Sequence, residues 1–213
     1  MNSSPVGKLE LLGRIAEIKR IYSVIESSIK DPACIVVTSG TQKEGKTTLA
    51  GGLALAASKK NGNRVLVVDF NWYAPRLHTL FDVEPGDDEM VYFEGGPIER
   101  IIRNTAIKNI DILPAFKDPK VDKEPMKIVP VSDLLNQAKA AYDVVIVDTA
   151  AAFPTNHKMI DPVEICKSSD GVVVVALTYV TPRQELKRVC TAIETVGANI
   201  LGIVANHWLN PLF

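Results

Sequence analysis

The chain has 213 residues, a formal net charge of −1 and 46% hydrophobic residues, which predicts one large globular domain with a sizeable core. The near-neutral charge gives no overall field for nucleic acid, so we expect no nucleic-acid partner. The longest uninterrupted apolar run, Gly171 to Leu177, is too short for a membrane span, and no signal peptide opens the chain. We therefore expect a cytoplasmic protein without direct membrane insertion.

The N-terminal region predicts one amphipathic helix. Residues 1–13 read as a flexible lead-in, and we expect the domain to span 14–208 with a short tail at 209–213. Apolar residues then recur at gaps of three and four until Asp31-Pro32, a pair that disfavours helix, and they are Leu11, Ile15, Ile18, Tyr22, Ile25 and Ile29. This stripe either packs on the protein's own sheet or contacts another subunit.

The stretch from Cys34 to Thr48 joins an apolar β-branched run to a loop that fits G-x-x-x-x-G-K-[ST], and a helix follows over Leu49 to Lys60. Strand, glycine-bounded loop and helix in this order predict a phosphate-binding loop for a nucleoside triphosphate. Lys46 is expected to reach the β- and γ-phosphates, and the Thr47 hydroxyl to ligate Mg²⁺. The predicted binding residues are Gly40, Thr41, Gln42, Lys43, Glu44, Gly45, Lys46, Thr47 and Thr48.

The rest of the chain alternates between strand and helix patterns. We predict strands over 64–69, 110–113, 143–148, 172–177 and 200–206, and helices over 98–104, 132–142, 157–168 and 182–196, with a short helix ending near Phe81. An acidic segment at 82–97 reads as a solvated face, and the segment 117–130 is either a lid or merely irregular. Strands separated by helices imply right-handed crossovers. The predicted fold class is α/β, a three-layer P-loop NTPase fold with a doubly wound, mainly parallel sheet.

Three polar residues close apolar strands at the edge where such sheets bind ligands. Asp148 is expected to hold Mg²⁺, in part through water, and Asp69 to orient or deprotonate the attacking hydroxyl or water. The catalytic residues are thus predicted to be Lys46 and Asp69, and the metal ligands Thr47 and Asp148. Asn206 either reads the adenine edge, as a binding residue, or caps its strand.

Four segments in order resemble the bacterial tyrosine kinases, cytoplasmic ATP-binding partners of capsular and exopolysaccharide chain-length regulators. They are 37–48 (VTS…EGKTT), 65–81 (VLVVD…PRLHTLF), 142–149 (YDVVIVDT) and 200–206 (ILGIVAN). The family is a branch of the deviant-Walker P-loop ATPases, which include partition and cell-division-site ATPases. The resemblance implies ATP or ADP with Mg²⁺ as cofactors, self-association, and a membrane-anchored chain-length regulator as partner at the inner membrane face. It assigns Lys46 and Thr47 to Walker A, Asp69 to Walker A′ and Asp148 to Walker B.

The chain departs from this family at several functional positions. Gln42-Lys43 replaces the usual Pro-Gly, and 69–73 (DFNWY) replaces D-x-D-x-R, so Asn71 stands where a carboxylate is usual. Glu17 and Arg20 match the start of the E-x-x-R-x-x-R assembly motif, whose third position is Ser23 here, and Ala150-Ala151 replaces two prolines. The C-terminal segment 208–213 (WLNPLF) carries no tyrosine, whereas the kinases have a tyrosine cluster there. Slow or absent phosphotransfer is therefore expected.

Three functions remain open at this point. The first is a kinase-like ATPase of polysaccharide synthesis, and the second is an ATP-binding regulator with little chemistry. The third is a partition-type positioning ATPase that dimerises on nucleotide. The third requires an early lysine in the loop, but Thr41 occupies that position, and Lys43 either substitutes for that lysine or is a solvated surface residue.

Overall fold

The computed structural model describes residues 16–60, 62–72, 74–86, 96–115, 130–153 and 160–207. The strands are β1 (Ala33–Ser39), β2 (Val65–Asp69), β3 (Arg103–Asn104), β4 (Ile110–Leu113), β5 (Val144–Asp148), β6 (Gly171–Leu177) and β7 (Ile200–Asn206). The helices are α1 (Ala16–Ser28), α2 (Lys46–Ser58), α3 (Leu77–Phe81), α4 (Val131–Ala141), α5 (Pro162–Lys167) and α6 (Arg183–Thr195), with a 3-10 turn at Ile98–Arg100. The lead-in, the tail, most of the acidic segment and nearly all of 117–130 lie outside the described residues, so those predictions stay predictions.

The strands form one sheet in the order β3-β4-β2-β5-β1-β6-β7. Among the strands that the structure describes, the β3–β4 pair alone is antiparallel. The central strands β1, β2 and β5 are buried along their whole length, because helices cover both faces of the sheet. The predicted α/β fold with a doubly wound, mainly parallel sheet is confirmed.

Two hydrophobic clusters lie on opposite faces of the sheet. One packs α1, α2 and α3 against it, and the other packs α4, α5 and α6. The apolar stripe of α1 belongs to the first cluster, where Tyr22 and Ile25 are each 3% exposed. Gly52 of α2 lies against Ile18, and a Cβ there would be 3.2 Å from the Ile18 Cδ1 atom, so the glycine permits a close helix pair. The described part of the stripe, from Ile18 to Ile29, therefore packs within its own chain, and Leu11 and Ile15 lie outside the described residues.

Carboxylates fasten the end of the sheet opposite the phosphate-binding loop. Asp143 Oδ2 accepts a hydrogen bond of 2.7 Å from the Arg64 backbone N–H, just before β2. Asp170 Oδ2 accepts one of 2.7 Å from the Cys34 backbone N–H, and Lys139 forms an ion pair with the same carboxylate. Side chains from α4 and from the turns before β5 and β6 thus hold the amino ends of β1 and β2.

An irregular pairing joins β6 to β7. The register shifts between Val172 and Val173, which leaves Leu201 as the extra residue of a β-bulge. The Leu201 side chain lies over Gly171, where a Cβ would come within 2.5 Å of the Leu201 Cγ atom. Gly171 is therefore the residue that lets the bulge close onto the sheet.

Three predicted boundaries were wrong. The helix predicted over 98–104 is a 3-10 turn followed by β3, because Arg103 and Asn104 pair with β4 and the Asn104 amide donates to Asp111 Oδ1 at 2.9 Å. The helix predicted to begin near 157 begins at Pro162, where Asp161 caps it by accepting from the Val163 N–H. The helix after the glycine loop begins at Lys46 rather than Leu49.

Candidate functional site

The loop between β1 and α2 is shaped by left-handed backbone conformations. Lys43 has φ 61° and Gly45 has φ 98°. Turns of this kind point successive backbone N–H groups into one concavity, which suits an anion. Gly45 also lies against Asn206, and a Cβ there would be 2.5 Å from the Asn206 amide nitrogen. Gly40, at the start of the loop, faces Val189 of α6, so it serves packing.

Lys46 is a buried cation at the base of this loop. Its ammonium donates to Ser39 Oγ at 2.8 Å and to the Thr41 carbonyl at 3.3 Å. The residue is 6% exposed, and burial lowers the pKa of its amine, opposed by the carboxylates of Asp148 and Glu44. A buried cation beside an anion-binding loop suits a polyphosphate, because the negative charge of the phosphates would offset the cost of removing the Lys46 ammonium from water.

Thr47 and Asp148 meet beside Lys46. The Thr47 hydroxyl donates to Asp148 Oδ2 at 2.6 Å. The other oxygen, Oδ1, is buried without a hydrogen-bond partner among the described residues. Burial raises the pKa of Asp148 to about 6, opposed by the Thr47 hydroxyl and the Lys46 charge. A hydroxyl and an unsatisfied carboxylate oxygen fit a Mg²⁺ ion that takes its remaining ligands from phosphate and water.

Asp69 pairs in register with Asp148 across β2 and β5. Its two oxygens accept from the backbone N–H groups of Asn71 at 3.0 Å and Leu77 at 3.2 Å. Burial and the neighbouring Asp148 carboxylate raise its pKa well above the usual value. Asp69 thus fastens both ends of the β2–α3 loop. Its predicted catalytic role stays a prediction.

A cavity of about 390 Å³ opens above these groups. Most of the predicted binding residues line it, namely Gln42, Lys43, Glu44, Gly45, Lys46, Thr47, Thr48 and Asn206. The remaining walls are Asn71, Ala74 and Arg76 from the β2–α3 loop, with Ala150 and Ala151 from the segment after β5. Gly40, Thr41, Asp69 and Asp148 support the cavity from behind and are not part of its wall.

A brace connects the loop to the ends of β6 and β7. The buried Glu44 carboxylate accepts from the Thr41 N–H at 3.0 Å and from the Thr181 hydroxyl. Asn206 Nδ2 donates to the Glu44 carbonyl at 2.9 Å. Asn206 therefore lies at the cavity wall as part of this brace, and its predicted contact with adenine stays a prediction. The sequence carries no signal for Thr181, because 137 residues separate it from Glu44.

Arg76 was also missed. It immediately precedes α3 and lines the same cavity as the glycine loop. Its place in the loop after a strand that ends in a carboxylate is the sequence signal that could have pointed to this edge of the sheet. The arginine that the D-x-D-x-R comparison places at Tyr73 is absent, but an arginine reaches the same cavity three positions later.

Curated relatives include two bacterial tyrosine kinases. The chain is 27% identical to the tyrosine-protein kinase YwqD of Bacillus subtilis over 173 residues, which cover 81% of this chain and 71% of that protein. It is 28% identical over 177 residues to the tyrosine-protein kinase ptk of Acinetobacter johnsonii, of which it spans 23%. The chain thus matches only a part of the longer kinase.

Solved structures show the same architecture. The chimerical protein CapA2B2 superposes with a TM-score of 0.72 at 25% identity and covers 91% of this chain and 84% of that one. The septum site-determining protein MinD of Pyrococcus horikoshii, solved in complex with Mg-ADP, gives 0.70 at 22% identity, over 83% of this chain and 71% of that one. The second likeness concerns the fold alone.

The family assignment covers most of the chain. The family model described as "ParA: NUBPL iron-transfer P-loop NTPase" matches residues 31–209, from the start of β1 past the end of β7. That range contains the glycine loop, the two strand-end carboxylates and Asn206. Together with the fold and the loop geometry, this match shows that the chain belongs to the ParA family of P-loop NTPases.

Proposed function

We propose that the chain binds ATP with Mg²⁺ in the 390 Å³ cavity and acts as a degenerate, kinase-like ATPase or ATP-dependent regulator of exopolysaccharide synthesis. The observation that carries the proposal is the Thr47–Asp148 pair, 2.6 Å apart, with a buried carboxylate oxygen left unsatisfied beside the Lys46 ammonium. A hydroxyl, a carboxylate and an ammonium at the base of an anion-binding loop suit a metal–polyphosphate complex.

Each residue of the site has a defined task under this proposal. The N–H groups of the loop and of the first turn of α2 bind the phosphate oxygens, and Lys46 neutralises charge on the β- and γ-phosphates. Thr47 and Asp148 hold the metal, which supplies charge neutralisation at the phosphates when bound. Asn206 and Glu44 keep the loop in its binding shape. Asp69 keeps the β2–α3 loop at the cavity wall.

Two features favour a weak enzyme or a regulator over an active kinase. Asn71 lines the cavity, and its neutral amide supplies none of the negative charge that a carboxylate would provide for metal binding or proton transfer. The second feature is that two of the described tyrosines, Tyr22 and Tyr142, are buried. We therefore place slow hydrolysis or regulated binding ahead of tyrosine phosphorylation.

Iron transfer, the activity in the family description, is not supported by the cysteines. The sequence has three, none in a C-x-x-C pair. Cys34 and Cys166 are buried in the core and Cys190 is half-buried, and burial raises the pKa of all three thiols. Cluster binding requires accessible thiolates.

A partition-type positioning ATPase is the second candidate. The observation that favours it is Lys43, an exposed lysine on the wall of the same cavity. Lys43 lies in the same loop as Thr41, which occupies the position of the early lysine of partition ATPases. Under this alternative the chain dimerises when ATP binds. Size-exclusion chromatography with light scattering, with and without Mg·ATP, separates the candidates, because the regulator does not require a nucleotide-dependent dimer.

The first experiment measures ATP binding by calorimetry for the wild type and for Lys46→Met. We expect the variant to lose at least tenfold in affinity, since it removes the cation nearest the predicted β- and γ-phosphates. Lys59→Met, at the far end of α2, is the matched control for loss of one lysine and should bind as the wild type does. Unchanged affinity in Lys46→Met would remove the phosphate-binding assignment.

We further propose a place at the inner membrane face through a membrane-anchored polysaccharide chain-length regulator. None of the helices within the described ranges is both long and apolar enough to cross a membrane. The proposal is tested by phosphate release with and without the cytoplasmic segments of candidate regulators. A partner that changes neither hydrolysis nor ATP affinity is excluded as the regulator.

A further inference from the structure

The two edges of the sheet differ in how well they are protected against further pairing. At one edge, β3 has only two residues, Arg103 and Asn104, and a short polar strand of this kind discourages a neighbour. At the other edge, β7 has seven residues, and no strand that the structure describes pairs with its outer side. The sequence from Ile200 to Ala205 carries apolar residues on both faces, which is typical of a strand inside a parallel sheet. β7 is thus an interior type of strand at an open edge.

The outer side of β7 presents unpaired backbone groups beside exposed apolar side chains. The Asn206 carbonyl accepts from the Thr178 N–H, so it points toward β6. Because backbone groups alternate in direction along a strand, Ile203 and Ala205 direct their N–H and C=O groups to the open edge. Both residues are exposed, and Ile203 is 51% exposed. The segment 203–206, which follows the bulge, is therefore a regular edge on which another strand can pair.

Helix α6 covers the face of the sheet on which the Ile203 side chain lies. Ile203 pairs with Val174, and Val174 belongs to the hydrophobic cluster that packs α6 against the sheet. The residues of α6 that point into this cluster include Val189 and Ile193, which are both buried. Since Ile203 stays half exposed, α6 leaves the outer part of this face uncovered.

The flank of α6 that faces outward, beyond β7, carries Arg183, Lys187 and Glu194. Their spacings of four and seven residues place them on one side of the helix, and all three are exposed. The other flank faces the middle of the sheet, because the Arg188 guanidinium there lies 3.9 Å from the centroid of the Phe153 ring. The outward flank is thus basic in its first half and acidic in its second half.

The middle of this charged flank lies level with Val204. Gly40, directly after β1, faces Val189, which is near the midpoint of the flank. The preceding residue, Ser39, pairs with Val175 of β6, and Val175 pairs with Val204. A two-fold rotation about an axis beside Val204, perpendicular to the sheet, therefore brings the basic half of one flank to the acidic half of the other. The edge and its flank are complementary to themselves.

We propose that the outer edge of β7 pairs antiparallel with the same edge of a second copy of this chain, about a two-fold axis beside Val204. Ile203 of one copy exchanges backbone hydrogen bonds with Ala205 of the other, past the end of the bulge. Ala205 of each copy also covers the exposed Ile203 side chain of the other, and Arg183 lies opposite Glu194. The pairing requires no nucleotide and leaves the phosphate-binding loop of each copy in place.

The test is the mass of the whole chain in solution without nucleotide, measured by size-exclusion chromatography with light scattering. We expect the wild type to be a dimer. Ile203→Lys places charges in the apolar seam, and Ala205→Pro removes an outward N–H without touching the bonds to β6, so each should give a monomer. Val24→Lys is the matched control, at an exposed valine of α1, and should stay a dimer. The midpoint of thermal unfolding shows that each variant is folded.

Reversal of single charges tests the register of the two copies. Arg183→Glu and Glu194→Arg each place like charges opposite one another, and each should weaken dimerisation about fivefold in analytical ultracentrifugation. The double variant restores opposite charges and should recover the wild-type dissociation constant, which a variant with a merely damaged fold would not do. A double variant as weak as either single one would overturn the proposed register.

The outcomes distinguish a second copy from other occupants of this edge. A dimer that both edge variants disrupt and that the charge exchange restores supports the pairing of β7. A monomeric wild type, as expected if residues 208–213 or a different protein cover the edge, would overturn it. A dimer that persists in Ile203→Lys and Ala205→Pro, or that forms only with Mg·ATP, uses another surface and would overturn it as well. The nucleotide site is tested separately, by the calorimetry described above.

Discussion

At neutral pH the buried carboxyl group of Asp148 lowers the stability of the folded chain, and the same group is suited to bind a metal ion. Its pKa of about 6, against an ordinary 3.8, means that the folded chain binds this proton more tightly than the unfolded chain does. The group therefore contributes stability that is fully present below about pH 4 and is lost as pH rises through about 6. At neutral pH the ionised, unsatisfied oxygen is a cost to folding, which a bound cation would relieve.

Asp148→Asn should stabilise the chain in the absence of nucleotide. At pH 8 we expect the free energy of unfolding to rise by about 1–3 kcal/mol, because an amide replaces an ionised buried carboxylate. Urea denaturation measures this, and the gain should vanish at pH 4, where the wild-type carboxyl is protonated. Lower stability of the variant at pH 8 would mean that the carboxylate holds the fold together.

The same residue predicts the pH dependence of metal-assisted binding. Mg²⁺ should tighten ATP binding at pH 7.5, where Asp148 is ionised, and should lose most of this effect by pH 5, where the raised pKa leaves the carboxyl protonated. Calorimetry with and without Mg²⁺ at both values gives the effect. The Asp148→Asn variant is the control, because the pH dependence that it retains comes from the nucleotide's own phosphates. If the wild type and this variant show the same pH dependence of the Mg²⁺ effect, Asp148 is excluded as a metal ligand.

At the scale of elements, the glycine loop is held by β6 and β7 as well as by its own strand and helix. Glu44 joins it to Thr181 beyond β6, and Asn206 at the end of β7 donates to the Glu44 carbonyl. Two elements distant in sequence, β6 with the turn that follows it and β7, thus help to fix one short loop. Substitutions at the contact between Gly45 and Asn206 should consequently change the shape of the loop without removing any group that is proposed to bind phosphate.

Gly45→Ala should abolish ATP binding. The new methyl group would lie 2.5 Å from the Asn206 amide nitrogen, and the φ of 98° is unfavourable for alanine. We expect at least a tenfold loss of affinity by calorimetry, with a modest loss of stability of about 1–2 kcal/mol. Adding Asn206→Ala removes the clash but not the strain, so the double variant should recover only part of the affinity. Full recovery would show that the φ of Gly45 is unimportant.

Gly171→Ala tests the β6–β7 bulge, far from any proposed ligand. A Cβ within 2.5 Å of Leu201 Cγ must push the bulge away from the sheet, and we expect a loss of about 1–3 kcal/mol in urea denaturation. Leu201→Ala in the same chain should cost less than the two single losses added together, because it makes room for the methyl group. Strict additivity would contradict the contact.

The sequence predicted the parts of this structure that depend on local patterns. Runs such as 144–148 are apolar on both sides, so their place in the sheet and the carboxylate at their end follow from composition. β3 was missed because two residues carry no periodicity, and its pairing depends on Asp111 of a neighbouring strand. The brace at Glu44 depends on how distant loops meet, which no local pattern encodes.

At the scale of the whole molecule, the tyrosines bear on the choice between kinase and regulator. Tyr22 is 3% exposed, with its pKa raised to about 12 by burial, and Tyr142 is 7% exposed with its hydroxyl bonded to Asp111. Tyr179 is 87% exposed on the turn after β6, and the other two tyrosines lie outside the described residues. Buried phenols are poor acceptors for a phosphoryl group.

The isolated chain should give no phosphotyrosine signal after incubation with Mg·ATP. The reasons are the neutral amide of Asn71 at the cavity wall and the burial of two of the described phenols. Immunoblotting measures this, with a phosphorylated peptide as positive control. A strong signal would contradict the regulator reading, and Tyr179→Phe would then show whether the exposed turn is the acceptor.

The carboxylates of Asp143 and Asp170 give the two ends of the sheet different tolerance to change. They fasten the amino ends of β1 and β2 through backbone N–H groups, so a library that diversifies those turns should yield few folded clones. The opposite rim carries its ligand-facing side chains on connecting loops, where substitutions alter chemistry without loosening the frame. Substitutions in the ligand-facing loops can therefore change the activity of the protein, while the carboxylates at the opposite end of the sheet continue to hold the fold.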